Sequence, residues 1–381
     1  MFSLKDASAV AKEPEVAAAI DAVDRYLQAA SGPQRFRRAR NSADAAVDIA
    51  AYRGLAEVGV TNALLPEELG GSGFAPGVAV LIAERLGWSL AREPFVENVV
   101  LPVALLLELG APTLRGAAGP GEIPCVAWQE GAYALPGAGS IATRVAADAA
   151  GLRIRGRKRF VMGARASTRL VVLAAMEGEP VLVCVAAAAP GVKRHDKLLA
   201  DGTCWSDIEF DATLGRADVL ARGAKCLAAL ERALDIANLA LAGVLYGLQT
   251  RIFALTLDYL GTRVQFDRPI GAFQALQHRA VDLYTHAQIT RFLLGEAVDA
   301  GAADVPAQTL ADYASRAKAR AADAGLRIAK EGIQMHGGIG FSDEYDLGMY
   351  VKRILVLSAW LGGADWHRRR FAAIAAPADG D

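Results

Sequence analysis

The segment TRVQFDRPIGAFQALQH, residues 262–278, gathers groups able to bind a phosphorylated nucleotide. Arg263 and Arg268 offer guanidiniums suited to phosphate. Gln265, Gln274 and Gln277 offer neutral donors and acceptors, and Phe266 and Phe273 offer rings for stacking on a base. By composition alone the segment reads more readily as a helix–loop–helix with a solvated basic loop. A second segment, IQMHGGIGFSDEY at 333–345, ends a helical run at His336, Gly337 and Gly338. Glycines there permit close backbone approach and free amides for phosphate. The plain alternative is a glycine cap with a locally satisfied His336. A third segment, LLPEELGGSG at 64–73, makes a structured turn and by itself says only that. The first two together are more specific than either alone.

These groups need elements to hold them. Pro269 and Gly271 break the helical pattern on either side, so the first segment joins two helices. The expected helices run over 227–260, 273–298 and 306–335, with a last helical stretch from Tyr345 into an arginine-rich tail. Residues 1–118 also read as helical, with Ala-rich runs such as AAVDIAAYRGLAEVGV and GVAVLIAERLGWSLA. Pro112 and the run AAGPGEIP mark where that part ends. Residues 119–218 read as strands: CVAWQ, GLRIRGRKRFVM, TRLVVLAAM and PVLVCVAAA are apolar or alternating runs rich in β-branched residues. The expected division is thus 1–118 helical, 119–218 β and 219–381 helical. That segregation argues against a doubly wound parallel sheet and for an α+β protein.

Bulk composition narrows the function. The 381 residues are 53% hydrophobic and 22% charged, and 41 basic side chains balance 42 acidic ones. Such a balance argues against a broad nucleic-acid surface or a polybasic membrane surface. The best candidate for membrane insertion is the uncharged run 236–250, bounded by Asp235 and Arg251. It falls short of the ~20 apolar residues a span needs, so a buried core helix is expected. The N-terminus carries early charges and no apolar signal region. Cys125, Cys184, Cys204 and Cys226 form no C-x-x-C pair, and isolated buried thiols suit a reducing cytoplasm. The five histidines make no metal-type spacing, so no metal is expected.

The chain resembles the acyl-CoA dehydrogenases over nearly its full length. The likeness rests on GVTNALLPEELGGSG, KRFVMGARASTRLVVLA, RVQFDRPIGAFQALQH and QMHGGIGFSDEY. It implies an N-terminal helical domain, a central β-barrel-like domain and a C-terminal four-helix domain. It also implies FAD held between the subunits of a dimer or tetramer, an acyl-CoA thioester as substrate and an electron-transfer flavoprotein as acceptor. By the same resemblance Arg263 would contact the FAD pyrophosphate, Phe266 would lie near the adenine, and Gln274 would bind the same end. Gln334, Met335, His336, Gly337 and Gly338 would face the FAD of the neighbouring subunit. In the β domain, Gln129 stands where the family has a threonine bonded to the flavin. Phe160 stands where it has a tryptophan, and Met162 replaces a second threonine. The nucleotide end looks intact and the flavin end altered.

The family reaction removes an α-proton with a carboxylate while a β-hydride moves to the flavin. The base is a glutamate in one of two places. One is a Glu-Gly-Thr sequence in the C-terminal helical region, where this chain has Leu361, Gly362 and Gly363. The other is on the long helix before Arg263, where it has Ala237. The usual glutamate is therefore absent at Gly362 and at Ala237, and Asp365 is the one acidic residue near the first place. Glu231 and Asp235 do not share the helical face of Ala237. Three readings follow. The chain is one subunit of a heteromer whose paralogous partner carries the base. Or it is a homo-oligomer that uses Asp365. Or it is a non-catalytic subunit that completes a partner's FAD site.

Overall fold

The computed structural model describes residues 3–30, 32–40, 45–110, 118, 121–132, 140–148, 151–300 and 305–375. The N-terminal helices are α1 (Pro14–Ala30), α2 (Pro33–Ala39), α3 (Ala45–Glu57), α4 (Pro76–Trp88) and α5 (Leu101–Leu109). The strands follow as β1 (Pro124–Ala127), β2 (Arg144–Asp148), β3 (Gly151–Met162), β4 (Arg169–Met176), β5 (Glu179–Ala186), β6 (Val192–Leu198), β7 (Cys204–Leu214) and β8 (Val219–Arg222). Then come α6 (Lys225–Thr262), the short strands β9 (Val264–Gln265) and β10 (Arg268–Pro269), and α7 (Gln274–Asp299). The chain ends in α8 (Ala307–His336), α9 (Leu347–Ala359) and α10 (Ala364–Ala375). The order of helix, sheet and helix agrees with the α+β reading. Most of the run expected to close the first helical part, Pro112 included, lies outside the described residues.

Two compact units emerge, and they cut across the three composition-based stretches. One gathers residues 1–41, 74–92 and 238–381, and the other 42–73 and 93–237.

In the first unit α1 buries Val16, Ile20, Val23 and Leu27, the spacing of one helical face. Helices α4 and α6 meet backbone to backbone at glycines. A Cβ on Gly247 would lie 2.0 Å from the Glu84 carbonyl oxygen, and one on Gly87 would lie 2.1 Å from that of Val244. No side chain fits there, which is why glycine stands in the middle of α6 and in the last turn of α4. Helix α6 has 38 residues and is long and apolar enough to cross a membrane by length and composition, which corrects the shorter run expected. Its apolar window is 78% buried within the protein, as for a core helix. The last helical stretch is also not continuous. It breaks at 360–363, where Leu361 and Gly362 take φ of 54° and 96°.

In the second unit the strands form a sheet in the order β6-β7-β3-β2-β4-β5-β8, with β1 pairing β4 in parallel. Neighbours β3 and β7, β6 and β7, and β4 and β5 are antiparallel. Ile154, Val172, Val183, Ile208 and Phe210 build its core. Between Lys158, which faces Ile208, and Val161, which faces Ser206, β3 carries one extra residue. That bulge holds Phe160 at a φ of 56°. Buried Asp207 anchors it by accepting from Lys197 Nζ at 3.0 Å, Arg157 Nη2 at 2.9 Å and the Phe160 amide at 3.4 Å. Burial alone would raise the Asp207 pKa, but these three donors outweigh it and hold the carboxyl below its usual value.

Candidate cofactor and active site

In the first unit, α6 runs straight into a hairpin. Strands β9 and β10 pair Gln265 with Arg268, and the two turn residues, Phe266 and Asp267, have φ of 51° and 58°. Positive φ at both central residues is the two-residue turn whose twist suits a hairpin, though it favours Asn and Gly over Phe. The Phe266 ring at this turn is 86% exposed. Phe273 meets it edge-on with centroids 6.1 Å apart, and the Arg268 guanidinium lies 4.1 Å from the Phe273 centroid. Arg263 is exposed at the root of the hairpin and makes no ion pair among the described residues. Gln274 opens α7 on the exposed side.

The second segment packs beside the first through Tyr259, near the end of α6. Its ring stacks on His336 with centroids 4.5 Å apart. His336 is buried and saturated: Nδ1 lies 2.7 Å from the Gly332 carbonyl and Nε2 lies 3.1 Å from the Tyr345 hydroxyl. With Nδ1–H donating, Nε2 accepts from the tyrosine, a tautomer set by the partners. Burial lowers the His336 pKa, against the Gly332 carbonyl, so the ring is neutral. Met335 is buried as well. The side chains of Met335 and His336 thus turn inward, unlike the ligand-facing role the resemblance implied. Gln334, Gly337 and Gly338 stay exposed, and a Cβ on either glycine would meet nothing within 4 Å. Arg263, Phe266, Gln274, Gln334 and the two glycines form the exposed set on neighbouring elements.

In the second unit Gln129 follows β1, and its Nε2 donates to the Gly131 carbonyl at 2.8 Å. Phe160 sits in the bulge, edge-on to Trp205 at 4.8 Å and under the Arg159 guanidinium at 4.7 Å. Met162 is buried. The fully buried Lys158 donates to Glu130 Oε1 at 2.6 Å and to the Trp128 carbonyl at 3.2 Å, the two residues that flank Gln129 in sequence. Glu130 also accepts from Thr143 Oγ1 at 2.7 Å. Burial lowers the Lys158 pKa, while Lys158 and the Thr143 and Ala142 donors overcome burial and hold Glu130 low. The pair therefore stays ionised at neutral pH and fixes the strand end that carries Gln129.

No carboxylate stands at either expected place for the base. Ala237 is fully buried in α6. Asp365, in the first turn of α10, is 80% exposed and accepts from Arg368 Nη2 at 2.5 Å. Sequence reasoning missed Lys318. This α8 side chain is fully buried, and its Nζ donates to the carbonyls of Ser358 at 3.0 Å and Gly362 at 2.8 Å. Burial drives its pKa down to about 7. His367, also fully buried, has Nε2 2.9 Å from the Leu361 carbonyl. The signal was present: Lys318 falls in line with Ala311, Ala314, Ala321 and Gly325 on the buried face of α8, where a lysine is out of place.

Helical segments before and after a central sheet in the chain make an α+β protein, and the exposed guanidinium, amide and ring at a helix break are groups able to bind a nucleotide. Comparison with known proteins gives the family. Residues 226–375 match the model of the acyl-CoA dehydrogenase C-terminal domain. The acyl-CoA dehydrogenase IpdE2 of Mycobacterium tuberculosis is 30% identical over 85% of this chain and 85% of its own length. Among solved structures, the ChsE4-ChsE5 complex from Mycobacterium tuberculosis superposes with a TM-score of 0.83 at 26% identity. That match covers 96% of this chain and 99% of the other. A variant of the Tcur3481-Tcur3483 steroid ACAD gives 0.80 at 28% identity, over 94% and 97%. The chain belongs to the acyl-CoA dehydrogenase family, whose members are FAD flavoproteins acting on acyl-CoA.

Proposed function

We propose that this chain is the base-lacking subunit of a two-chain, FAD-dependent acyl-CoA dehydrogenase that passes electrons to an electron-transfer flavoprotein. The carrying observation is the absence of a carboxylate at both base positions, with the acid nearest in sequence to the first, Asp365, turned to solvent and tied to Arg368. A surface aspartate held by an arginine is poorly placed to take a proton from a weakly acidic carbon, which needs a dry, preorganised site. The solved ChsE4-ChsE5 complex and the steroid ACAD are precedents for paired chains and a bulky acyl group.

The exposed residues suit the nucleotide half of FAD. Arg263 would meet the pyrophosphate, Phe266 the adenine, and Gln274 the same end. Gln334 with the open Gly337–Gly338 backbone would serve the cofactor of the adjoining chain. Gln129 and Phe160 would lie toward the flavin. When bound, FAD supplies the hydride acceptor; these residues bind and orient it. Val281, Tyr284, Ile289 and Phe292 form an exposed apolar stripe at helical spacing along α7, which supports burial against another chain.

The test is the visible spectrum of the chain alone and then with its paralogous partner, read with the oligomeric mass. A flavin band only in the mixed oligomer, bleached by acyl-CoA and re-oxidised by an electron-transfer flavoprotein, is expected. In that oligomer Asp365→Asn keeps turnover within about twofold. A homo-oligomer that holds FAD alone, turns over and dies with Asp365→Asn would replace this reading. A mixed oligomer that no acyl-CoA bleaches would make the chain a structural completer of its partner's site.

A further inference from the structure

The break between α9 and α10 is built more firmly than a surface turn requires. Its backbone carbonyls point inward, those of Ser358 and Gly362 to Lys318 Nζ and that of Leu361 to His367 Nε2. Both donors are fully buried, and Leu361 itself is buried. Among the described residues Lys318 makes no ion pair, so carbonyl dipoles alone receive its charge. An ammonium in that setting is a poor way to stabilise a core, where an apolar side chain would serve better. It does fix direction: two donors from one atom to carbonyls four residues apart allow the turn a single shape. The turn's third residue, Gly362, has the positive φ that favours glycine.

We propose that Lys318, assisted by His367, is the positioning residue of the 360–363 turn, and that the turn is a preformed frame in which the side chain at 361 alone decides whether this chain has a base. The second clause rests on the functional reading above: Gly362 fills the glycine place of the Glu-Gly-Thr sequence, so Leu361, not Gly362, stands where the glutamate would be. Leu361 fills the frame with an apolar group. The chain lacks a base by side chain rather than by loss of backbone architecture.

Hydrogen–deuterium exchange of the full-length chain tests the clamp without any cofactor. Lys318→Met is expected to speed exchange of peptides covering 360–363 by tenfold or more, with peptides of β3 and the middle of α6 unchanged. Lys318→Arg, which keeps the charge and its donors, should restore most of the protection. His367→Asn, which weakens one carbonyl contact of the three, should give a smaller rise. Wild-type protection of the turn in a folded Lys318→Met protein overturns the proposal. If that variant does not fold, the His367→Asn result decides in the same way.

The frame is tested by Leu361→Glu in the flavin-loaded oligomer. The expected result is flavin bleaching by acyl-CoA at this chain's own flavin, beyond that due to the partner. Adding Lys318→Met to Leu361→Glu should remove the gain by at least tenfold while flavin stays bound. No gain from Leu361→Glu, with turn exchange as in wild type, overturns the frame. If the unmodified mixed oligomer is itself not bleached, it is the functional reading that fails, and the exchange result still judges the clamp.

Discussion

Three connections in the helical unit hold non-glycine residues at positive φ: buried Leu90 after α4, Phe266 and Asp267 in the β9–β10 hairpin, and Leu361 in the turn after α9; the last two contrast most. In the hairpin the strained residues face water, and nearby Arg263 has no ion pair among the described residues. In the turn the strained residue is buried and its carbonyl is held by His367. A left-handed L-residue costs about 1–2 kcal/mol in either place. Each site offsets that cost differently. The turn recovers it internally, through burial and buried donors. The hairpin recovers less within the chain, through its short ladder and the edge-on Phe273 ring, which suits the cofactor role proposed for it.

This contrast can be broken by substitutions that act oppositely at the two sites. Leu361→Gly relieves the strained φ but deletes a buried leucine, which costs about 2–5 kcal/mol. Net destabilisation by about 1–4 kcal/mol is expected in urea melts; a gain in stability would show that the turn is not internally supported. Arg263→Ala should leave the same melts unmoved, yet weaken FAD binding by about 10- to 100-fold, as for loss of a charge-assisted contact of ~1.5–3 kcal/mol. Flavin titration checks it, and unchanged affinity would remove the hairpin from the cofactor site.

The pH response sharpens the buried side. Burial places the folded Lys318 pKa at about 7, below its value in the unfolded chain. Between those values the unfolded state binds the extra proton, so stability rises as pH increases from 7 toward 10 and levels off below 7, where both states carry the proton. Thermal melts of the wild type should rise by a few degrees over that window relative to Lys318→Met, which lacks the group. Parallel curves would mean the ammonium is solvated after all. The smallest effect is at the exposed turn: Phe266→Gly should stabilise the isolated chain by about 0.5–1 kcal/mol, because strain is relieved and little burial is lost.

The long α6, α7 and α8 were legible because apolar residues recur at helical spacing and proline is absent within them. Strand β3 was legible to the residue because it alternates. Strand β6, VKRHDKL, was not: six of its seven residues are exposed, so it has no apolar face to read. Strand β7 does alternate, but its inward places include Ser206, which looks polar in a sequence. The nucleotide-end motif could be located because it is local. The inward turn of His336 and the break at 360–363 could not, since one is set by Tyr259 and Tyr345 and the other by Lys318, more than 40 residues away.

The division of the chain into interleaved units also dictates an order of events on the ribosome. The unit with the sheet is complete once residue 237 has emerged. The other unit begins at the N-terminus, yet it needs 238–381 before α1, α2 and α4 have a core to join. Their apolar faces must therefore wait through most of synthesis, and nascent chains of this protein should load chaperones early and release them late. A premature stop near 240 would release a chain with a complete sheet unit and three stranded helices, a species suited to aggregation rather than to partial function.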